Sequence, residues 1–350
     1  MKRILITGGS GFIGHHFIEH ILKNTDWEIV NITRTGFAGS DERLHEIEIW
    51  KAQGHRVTNV WHDLRSPINE FVDKKIGNVQ YVIHMAALSH VDRSIEQPME
   101  ALLDNTFSTI NFLDWFRKRK KSNDGGFDTI QKFIYFSTDE VFGPALGGIN
   151  HPEGYRHNPS NPYAAGKAAA EDFCIAYANT YKLPIMITNT MNVFGERQHP
   201  EKFIPSTIKK VLKGEKVIIH SDSTKIVPGS RFYIHARNGA EAIVWLLENG
   251  DEFLDITDET KGKFNIVGEK EVTNLELAQF IARVLNKPLQ YEMVDFHSSR
   301  PGHDLRYALD GKKLFERGFE YPKTFEESLT KVITWTVDHP DWLGIKDEKH

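Results

Sequence analysis

The sequence predicts a doubly wound parallel α/β sheet with a smaller α/β region attached. Three observations carry this expectation. Short apolar runs alternate with longer amphipathic segments through the first half, the first run opens into a glycine-rich turn and a helical pattern, and the alternation loosens after about Gly195. The runs at Arg3–Thr7, Glu28–Ile32, Arg56–Trp61, Gln80–Met85, Lys132–Ser137 and Pro184–Thr190 have the apolar character of strands buried on both faces. Between them, Pro98–Phe116 sets Leu102, Leu103, Phe107, Ile110, Leu113 and Phe116 at helical spacing. Beyond Gly195, Phe203–Leu212 and Asn274–Leu285 read as helices of the smaller region, and Ala236–Glu248 as a helix returning to the main sheet.

The 350 residues carry a formal net charge of −5, so neither nucleic acid nor a membrane surface is an expected partner. Cys174 is the single cysteine, which rules out an internal disulfide and fits a reducing cytoplasm. No apolar stretch reaches membrane-spanning length. Met1-Lys2-Arg3 followed by Ile-Leu-Ile begins like a secretory leader, but Gly8, Gly9, Gly11 and Gly14 interrupt it at once. Two further patterns are set aside. Arg117-Lys118-Arg119-Lys120-Lys121 stands where helix 98–116 should end, and cations suit a helix C-terminus, so a solvated helix end is expected there. His16 and His20 lie one helical turn apart without further ligands at metal spacing, so no metal site is expected.

The first functional pattern is the turn after Arg3–Thr7, Gly8-Gly9-Ser10-Gly11-Phe12-Ile13-Gly14. Gly8 allows a tight turn, Gly11 lets backbone approach a pyrophosphate, and Gly14 lets the following helix pack closely on the strand. A dinucleotide pyrophosphate then rests on the free N–H groups of the helix start, around Phe12 and Ile13. This makes the sheet a Rossmann fold: residues 1–190 form the dinucleotide-binding domain with 232–257 returning to it, and 191–231 with 258–345 form the substrate-binding domain. An acid at the end of the second strand would favour NAD, and an arginine NADP. Thr33-Arg34 stands there, which leans toward NADP and leaves both dinucleotides open, since Thr33 can still bond a ribose hydroxyl. Asp63 and Leu64, after the third strand, are expected at the adenine.

Tyr163-Ala-Ala-Gly-Lys167 places a phenol and an ammonium four residues apart on one helix face. A phenol of ordinary pKa about 10 is a poor base at neutral pH. The ammonium and a positive nicotinamide ring are expected to lower that pKa, so that Tyr163 takes a proton from a sugar hydroxyl as hydride leaves the same carbon.

With these residues in hand, the chain resembles the extended short-chain dehydrogenase/reductases, in the NAD-dependent epimerase/dehydratase family, and within them the dTDP-glucose 4,6-dehydratases. The resemblance rests on Gly8–Gly14, His84-Met-Ala-Ala-Leu-Ser-His-Val-Asp-Arg93, Ser137-Thr-Asp-Glu-Val-Phe-Gly143, Asn161-Pro-Tyr-Ala-Ala-Gly-Lys167, Pro200-Glu-Lys-Phe-Ile-Pro205 and Arg300-Pro-Gly-His-Asp-Leu-Arg-Tyr307. It implies conversion of a nucleoside-diphosphate hexose to the 4-keto-6-deoxyhexose with a tightly retained nicotinamide cofactor. Family epimerases typically carry the serine or threonine but not the Asp-Glu pair. The added chemistry explains the pair: once C4 is a ketone, one carboxylate removes the acidic C5 proton and a second carboxyl group protonates the departing C6 hydroxyl. By resemblance Glu140 is the base, Asp139 the acid, and Thr138 bonds the C4 oxygen. Both carboxyl groups reach one sugar only if the strand ends near Thr138 and the backbone turns, which Gly143-Pro144 permits.

The resemblance also implies Ala86 and Ala87 at the cofactor and Ser89, His90, Val91 and Asp92 at the hexose. Asn192, Lys202, Phe203, Asn265 and His303 match further substrate positions, and Arg231 and Arg300 the diphosphate-clamping arginines. Leu88, Phe142, Val193, the stretch Val217-Ile-Ile-His-Ser221 and Thr33-Arg34 depart from the pattern, which leaves the nucleotide and the hexose open. By analogy a homodimer is expected, packing through helices Pro98–Phe116 and Tyr163–Tyr181. An epimerase on the same fold would not need Asp139-Glu140, and a non-catalytic cofactor-sensing scaffold would not need all five of Thr138, Asp139, Glu140, Tyr163 and Lys167.

Overall fold

In a computed structural model, which describes residues 1–34, 39–121, 130–251, 254, 261–296 and 304–344, the expected strands form one parallel sheet. Its strands are β1 (Arg3–Thr7), β2 (Glu28–Thr33), β3 (Val57–Trp61), β4 (Tyr81–His84), β5 (Lys132–Thr138), β6 (Ile185–Thr190) and β7 (Lys263–Ile266). They lie in the order β7-β6-β5-β4-β1-β2-β3, every pair parallel. β4 and β1 are neighbours at the point where the winding reverses, and the carboxyl ends on either side of that point open a crevice. Ile4, Leu5, Ile6, Val82, Ile83, Phe133 and Ile134 are fully buried, as strands covered on both faces require.

β7 was not foreseen. The sequence boundary put its residues with the substrate region, whereas they pair with Ile187–Thr190 at the edge of the main sheet. Lys-Phe-Asn-Ile is short and half polar, so no apolar run announces it. Helix Ala236–Asn249 packs against the first helix, α1 (Phe12–Asn24). The predicted helix Pro98–Phe116 runs through three segments, Pro98–Ala101, a π-helical Leu102–Phe107, and Ser108–Lys121. Its basic end differs from a solvated cap: Arg119 is buried, bonding the Gly77 carbonyl and lying over Trp115, because a guanidinium on an apolar stem can satisfy backbone acceptors while its stem packs. Arg117 and Lys118 pair with Asp114.

Helices Phe203–Lys213, Asn274–Val284 and Phe325–Asp338 share a separate apolar cluster built on Ile208, Leu277, Ile281, Leu329 and Ile333. The last two open with full capping boxes on Thr273/Glu276 and Thr324/Glu327. No helix among the described residues is long and apolar enough to cross a membrane.

Candidate active site

The crevice is a cavity of about 680 Å³ over the carboxyl ends of the strands. Its floor begins where β1 enters the glycine turn. Gly8 has φ +78°, and a Cβ on Gly14 would stand 2.2 Å from the Gly8 carbonyl oxygen, so neither position admits a side chain without moving backbone. A Cβ on Gly9 would strike Asn31, whose Oδ1 accepts the Gly9 N–H at 2.9 Å and holds the turn from β2. Gly11 begins α1 with no side-chain cap and no acid in the first turn. This is the donor set that a pyrophosphate completes. Beneath it, the Thr7 hydroxyl accepts the Met85 and Ala86 N–H groups at 3.1 Å and contacts buried His84 Nδ1 at 2.8 Å. Burial, then Lys167, lowers the His84 pKa to about 3, so this ring is a neutral strut.

At the far end of the floor Arg34 does not stand open. Its two terminal nitrogens donate to Asp63 Oδ2 at 2.9 Å and Asp104 Oδ1 at 2.8 Å, and Arg65 joins Asp63 at 3.2 Å and Glu100 at 3.0 Å. All of these residues, with Thr33 and Leu64, line the cavity.

At the opposite end β5 stops at Thr138 and the chain turns into a short 3-10 helix, Asp139–Phe142, closed by Gly143 at φ +70°. The Thr138 hydroxyl accepts the Glu140 N–H at 3.3 Å and donates to Asp139 Oδ1 at 3.0 Å. The turn brings both carboxyl groups to the cavity, as the pair requires. Asn161 caps the helix that carries Tyr163 and Lys167, accepting the Ala164 N–H at 2.8 Å. Its amide nitrogen donates to Glu140 Oε2 at 3.1 Å. One side chain thus fixes the redox helix and the carboxylate together. Ser94 Oγ accepts the Tyr163 N–H and Thr106 Oγ1 donates to the Gly166 carbonyl, which ties the same helix to residues 91–107.

The two carboxyl groups sit in different environments. Burial, then the charge of Glu140, raises the Asp139 pKa to about 7. Arg231 and Thr138 oppose the rise at Asp139; burial also raises Glu140, where the Asn161 hydrogen bond and the charge of Lys202 oppose it in addition to Arg231. Asp139 is therefore the better acid near neutrality and Glu140 the better carboxylate. Lys167 is buried, donating to the Phe136 carbonyl at 2.8 Å and lying 4.2 Å over the Tyr135 ring, and burial lowers its pKa to about 8. The expected depression of the Tyr163 phenol by Lys167 is not found. Burial, then Glu140, pushes that phenol up, because the ammonium is turned toward Phe136 and Tyr135 while the carboxylates face the phenol. Only its hydrogen bonding to Thr138 opposes the rise.

Of the residues read from the sequence, Gly8, Gly11, Phe12, Ile13, Gly14, Thr33, Arg34, Asp63, Leu64, Ala86, Ala87, Ser89, His90, Thr138, Asp139, Glu140, Tyr163, Lys167, Asn192 and Lys202 line this one cavity. Val91, Asp92, Phe203, Arg231 and Asn265 do not. Val91 is buried and Asp92 exposed in helix Val91–Glu96, which turns them out of the crevice. Phe203 packs between two apolar clusters. Asn265 is fully buried in β7, its amide nitrogen spent on the His151 and Asp310 carbonyls. Arg231 spends its guanidinium on the carbonyls of Ser230, Asp304 and Leu305 and stacks over Tyr307, so it acts on the pair through its charge. Arg300 and His303 lie outside the described residues. His16 Nε2 contacts the Glu196 carbonyl and His20 pairs with Glu241, and no metal-binding group of three His, Cys, Asp or Glu occurs among the described residues.

Asn161, Asp104 and Arg65 were missed as functional positions. Only Asn161 carried a signal, as an Asn before Pro at a helix start. Buried atoms also await partners: Asp139 Oδ2, Thr190 Oγ1 and Asn192 Oδ1, all on cavity-lining residues, carry no hydrogen bond among the described residues. Polar atoms left this way beside a cavity fit a hydroxyl-rich ligand.

Residues 4–267 match the model of the NAD dependent epimerase/dehydratase family. The chain is 33% identical to dTDP-glucose 4,6-dehydratase of Neisseria meningitidis, over 98% of this chain and 95% of that one. Two solved structures share the whole fold. A Bacillus anthracis dTDP-glucose 4,6-dehydratase in complex with NAD aligns with a TM-score of 0.80 at 26% identity, covering 98% of this chain and 99% of that one. A Streptomyces venezuelae dTDP-glucose 4,6-dehydratase, the DesIV double mutant with NAD and DAU bound, gives 0.81 at 27%, with the same coverage.

Proposed function

The chain belongs to the NAD dependent epimerase/dehydratase family, and from that premise we propose that it is a nucleotide-sugar 4,6-dehydratase retaining NAD, with dTDP-glucose as its default substrate. The observation that carries the reading is the pair itself: Asp139 and Glu140 share one 3-10 turn that brings both carboxyl groups to the cavity, and only Glu140 is held by an amide donor, Asn161. A redox site alone has no use for such a pair.

NAD, when bound, supplies the reversible hydride acceptor, taking hydride from C4 and returning it to C6. The chain's own groups do the rest. Thr138 and Tyr163 bond the C4 oxygen, and Tyr163 accepts its proton as the ketone forms if the positive nicotinamide ring of a bound cofactor, with Lys167, overcomes the burial that raises its pKa and holds it as phenolate. Glu140, held by Asn161, removes the C5 proton that the ketone has made acidic. Asp139 protonates the departing C6 hydroxyl, which leaves as water, and Glu140 then returns its proton to C5. The proton gained at Tyr163 replaces the one lost from Asp139, so the protein ends as it began apart from one internal transfer. Lys167, its pKa lowered by burial to about 8 against the opposing charge of Glu171, places an ammonium on the Phe136 carbonyl beside the cavity.

Leu88 and Val193, two of the departures from the family pattern, line the cavity, and they are the positions at which a different hexose would be accommodated. A homodimer is supported by exposed apolar side chains on the adjoining helices, among them Met99, Leu102, Phe107 and Phe173. A buried, unpaired Cys174 supports a reducing cytoplasm.

Purified protein incubated with a panel of nucleoside-diphosphate hexoses tests the reading. One member is expected to lose a single water without added cofactor. An altered sugar of unchanged mass would make the chain an epimerase instead.

A further inference from the structure

Arg34, directly after β2, runs against the NAD that the related structures hold. Arg34 stands where a guanidinium commonly receives the 2′-phosphate of NADP, and Thr33 leaves the strand end without the acid that commonly bonds the ribose of NAD. By that sequence rule the site should prefer NADP.

The geometry reverses the rule. Both terminal nitrogens of Arg34 are engaged by carboxylates, Asp63 at 2.9 Å and Asp104 at 2.8 Å. Asp104 is only 9% exposed, so its charge is poorly screened by water. The wider group holds two guanidinium ions, Arg34 and Arg65, against three carboxylates, Asp63, Asp104 and Glu100. A phosphate dianion brought here meets a fork already filled and an excess of negative charge. Arg43, another arginine of the cavity wall, is directed elsewhere, to the Arg197 carbonyl and the Trp342 ring. An uncharged ribose hydroxyl meets neither obstacle, and it has the Thr33 hydroxyl and the Asp63 carboxylate as partners on the same wall.

We propose that Asp104, reaching Arg34 from the π-helical segment Leu102–Phe107, is the residue that sets cofactor choice in this protein, by holding the arginine away from a 2′-phosphate and so selecting NAD over NADP. The acid missing from the end of β2 is supplied from seventy residues further along the chain. The inference rests on the dehydratase reading only in requiring that a nicotinamide dinucleotide binds.

The test is titration of cofactor-stripped full-length protein with NAD⁺ and with NADP⁺, followed by calorimetry. Wild type is expected to bind NAD⁺ at least about tenfold more tightly. Asp104→Asn is expected to strengthen NADP⁺ binding by about tenfold while NAD⁺ changes by less than about threefold, because the freed guanidinium can then fork onto the phosphate. Arg34→Ala added to Asp104→Asn should erase the gain. Arg34→Ala alone, a change at a half-exposed position, should weaken NADP⁺ by less than about threefold, since the wild-type fork does not hold the phosphate. A tenfold loss there, equal wild-type affinities, or an unchanged ratio in Asp104→Asn would overturn the inference alone. Binding of neither dinucleotide would overturn it together with the functional reading.

Discussion

Asp139 shows how one residue's surroundings become a pH dependence. Its pKa is raised to about 7 by burial and by Glu140 beside it. In the role proposed for it, the acid form that would protonate the leaving hydroxyl is present below that value and lost above it. The pH profile of kcat/KM should therefore fall as pH rises through about 7, and Asp139→Asn should lose that limb together with about 100-fold or more of the rate. Folding stability has its own sign. Between the ordinary carboxylate value and about 7 the folded chain keeps a proton that the unfolded chain releases, so this group's contribution to stability declines as pH rises across that window. Thermal melts of wild type and Asp139→Asn should then diverge in favour of the variant from pH 4 to pH 8, as an order-of-magnitude expectation. Parallel melting curves across that range would mean that Asp139 ionises normally. Reaction type was legible in the sequence because it depends on which side chains are present: Tyr163, Lys167, Thr138 and the acidic pair. Partners were not. Whether Arg34 meets a phosphate or Asp104, and whether Arg231 faces a ligand or three carbonyls, is decided by packing between segments far apart in the chain.

The elements explain how both carboxyl groups of the acidic pair reach one cavity from consecutive positions. On a continued strand, Asp139 and Glu140 would face opposite sides of the sheet. The 3-10 turn after β5 cancels that alternation, and Gly143 ends it at φ +70° with the position of its absent Cβ 2.2 Å from the Asn158 carbonyl oxygen. Gly143→Ala should displace the turn, costing about 1–3 kcal/mol in stability and lowering activity more than NAD binding. Equal loss of cofactor and activity, by calorimetry and product assay, would show that the turn does not act on the carboxylates selectively. The sequence placed all six foreseen strands within one residue at each end, Gln80–Met85 shortening to Tyr81–His84, because continuous apolar runs mark buried parallel strands well. It missed the π-helical segment at Leu102–Phe107, since periodicity over a long helix does not register one locally widened turn. That segment holds Asp104.

For the whole molecule, the cavity touches the ends of β1, β2, β4, β5 and β6 and the segment after β3, so a dinucleotide lying in it bridges both halves of the sheet. Removing a tightly retained NAD should lower the melting temperature, and adding it back should restore the loss in proportion to the logarithm of its concentration. A melting temperature indifferent to NAD would contradict retention. The architecture was legible as a whole because glycine turn, strand alternation and motif order agree with one another. The boundary of the returning segment was not, since β7 is recognisable only by what it pairs with.

If the acidic pair adds elimination to a redox site that is otherwise complete, Glu140→Gln separates the two. In a single turnover with dTDP-glucose, reduced nicotinamide absorbance and sugar mass are followed together. The variant should accumulate reduced cofactor and a hexose that has lost two hydrogens and no water. Loss of water at the wild-type rate would show that Glu140 is not the base and that the pair does not do what its placement implies.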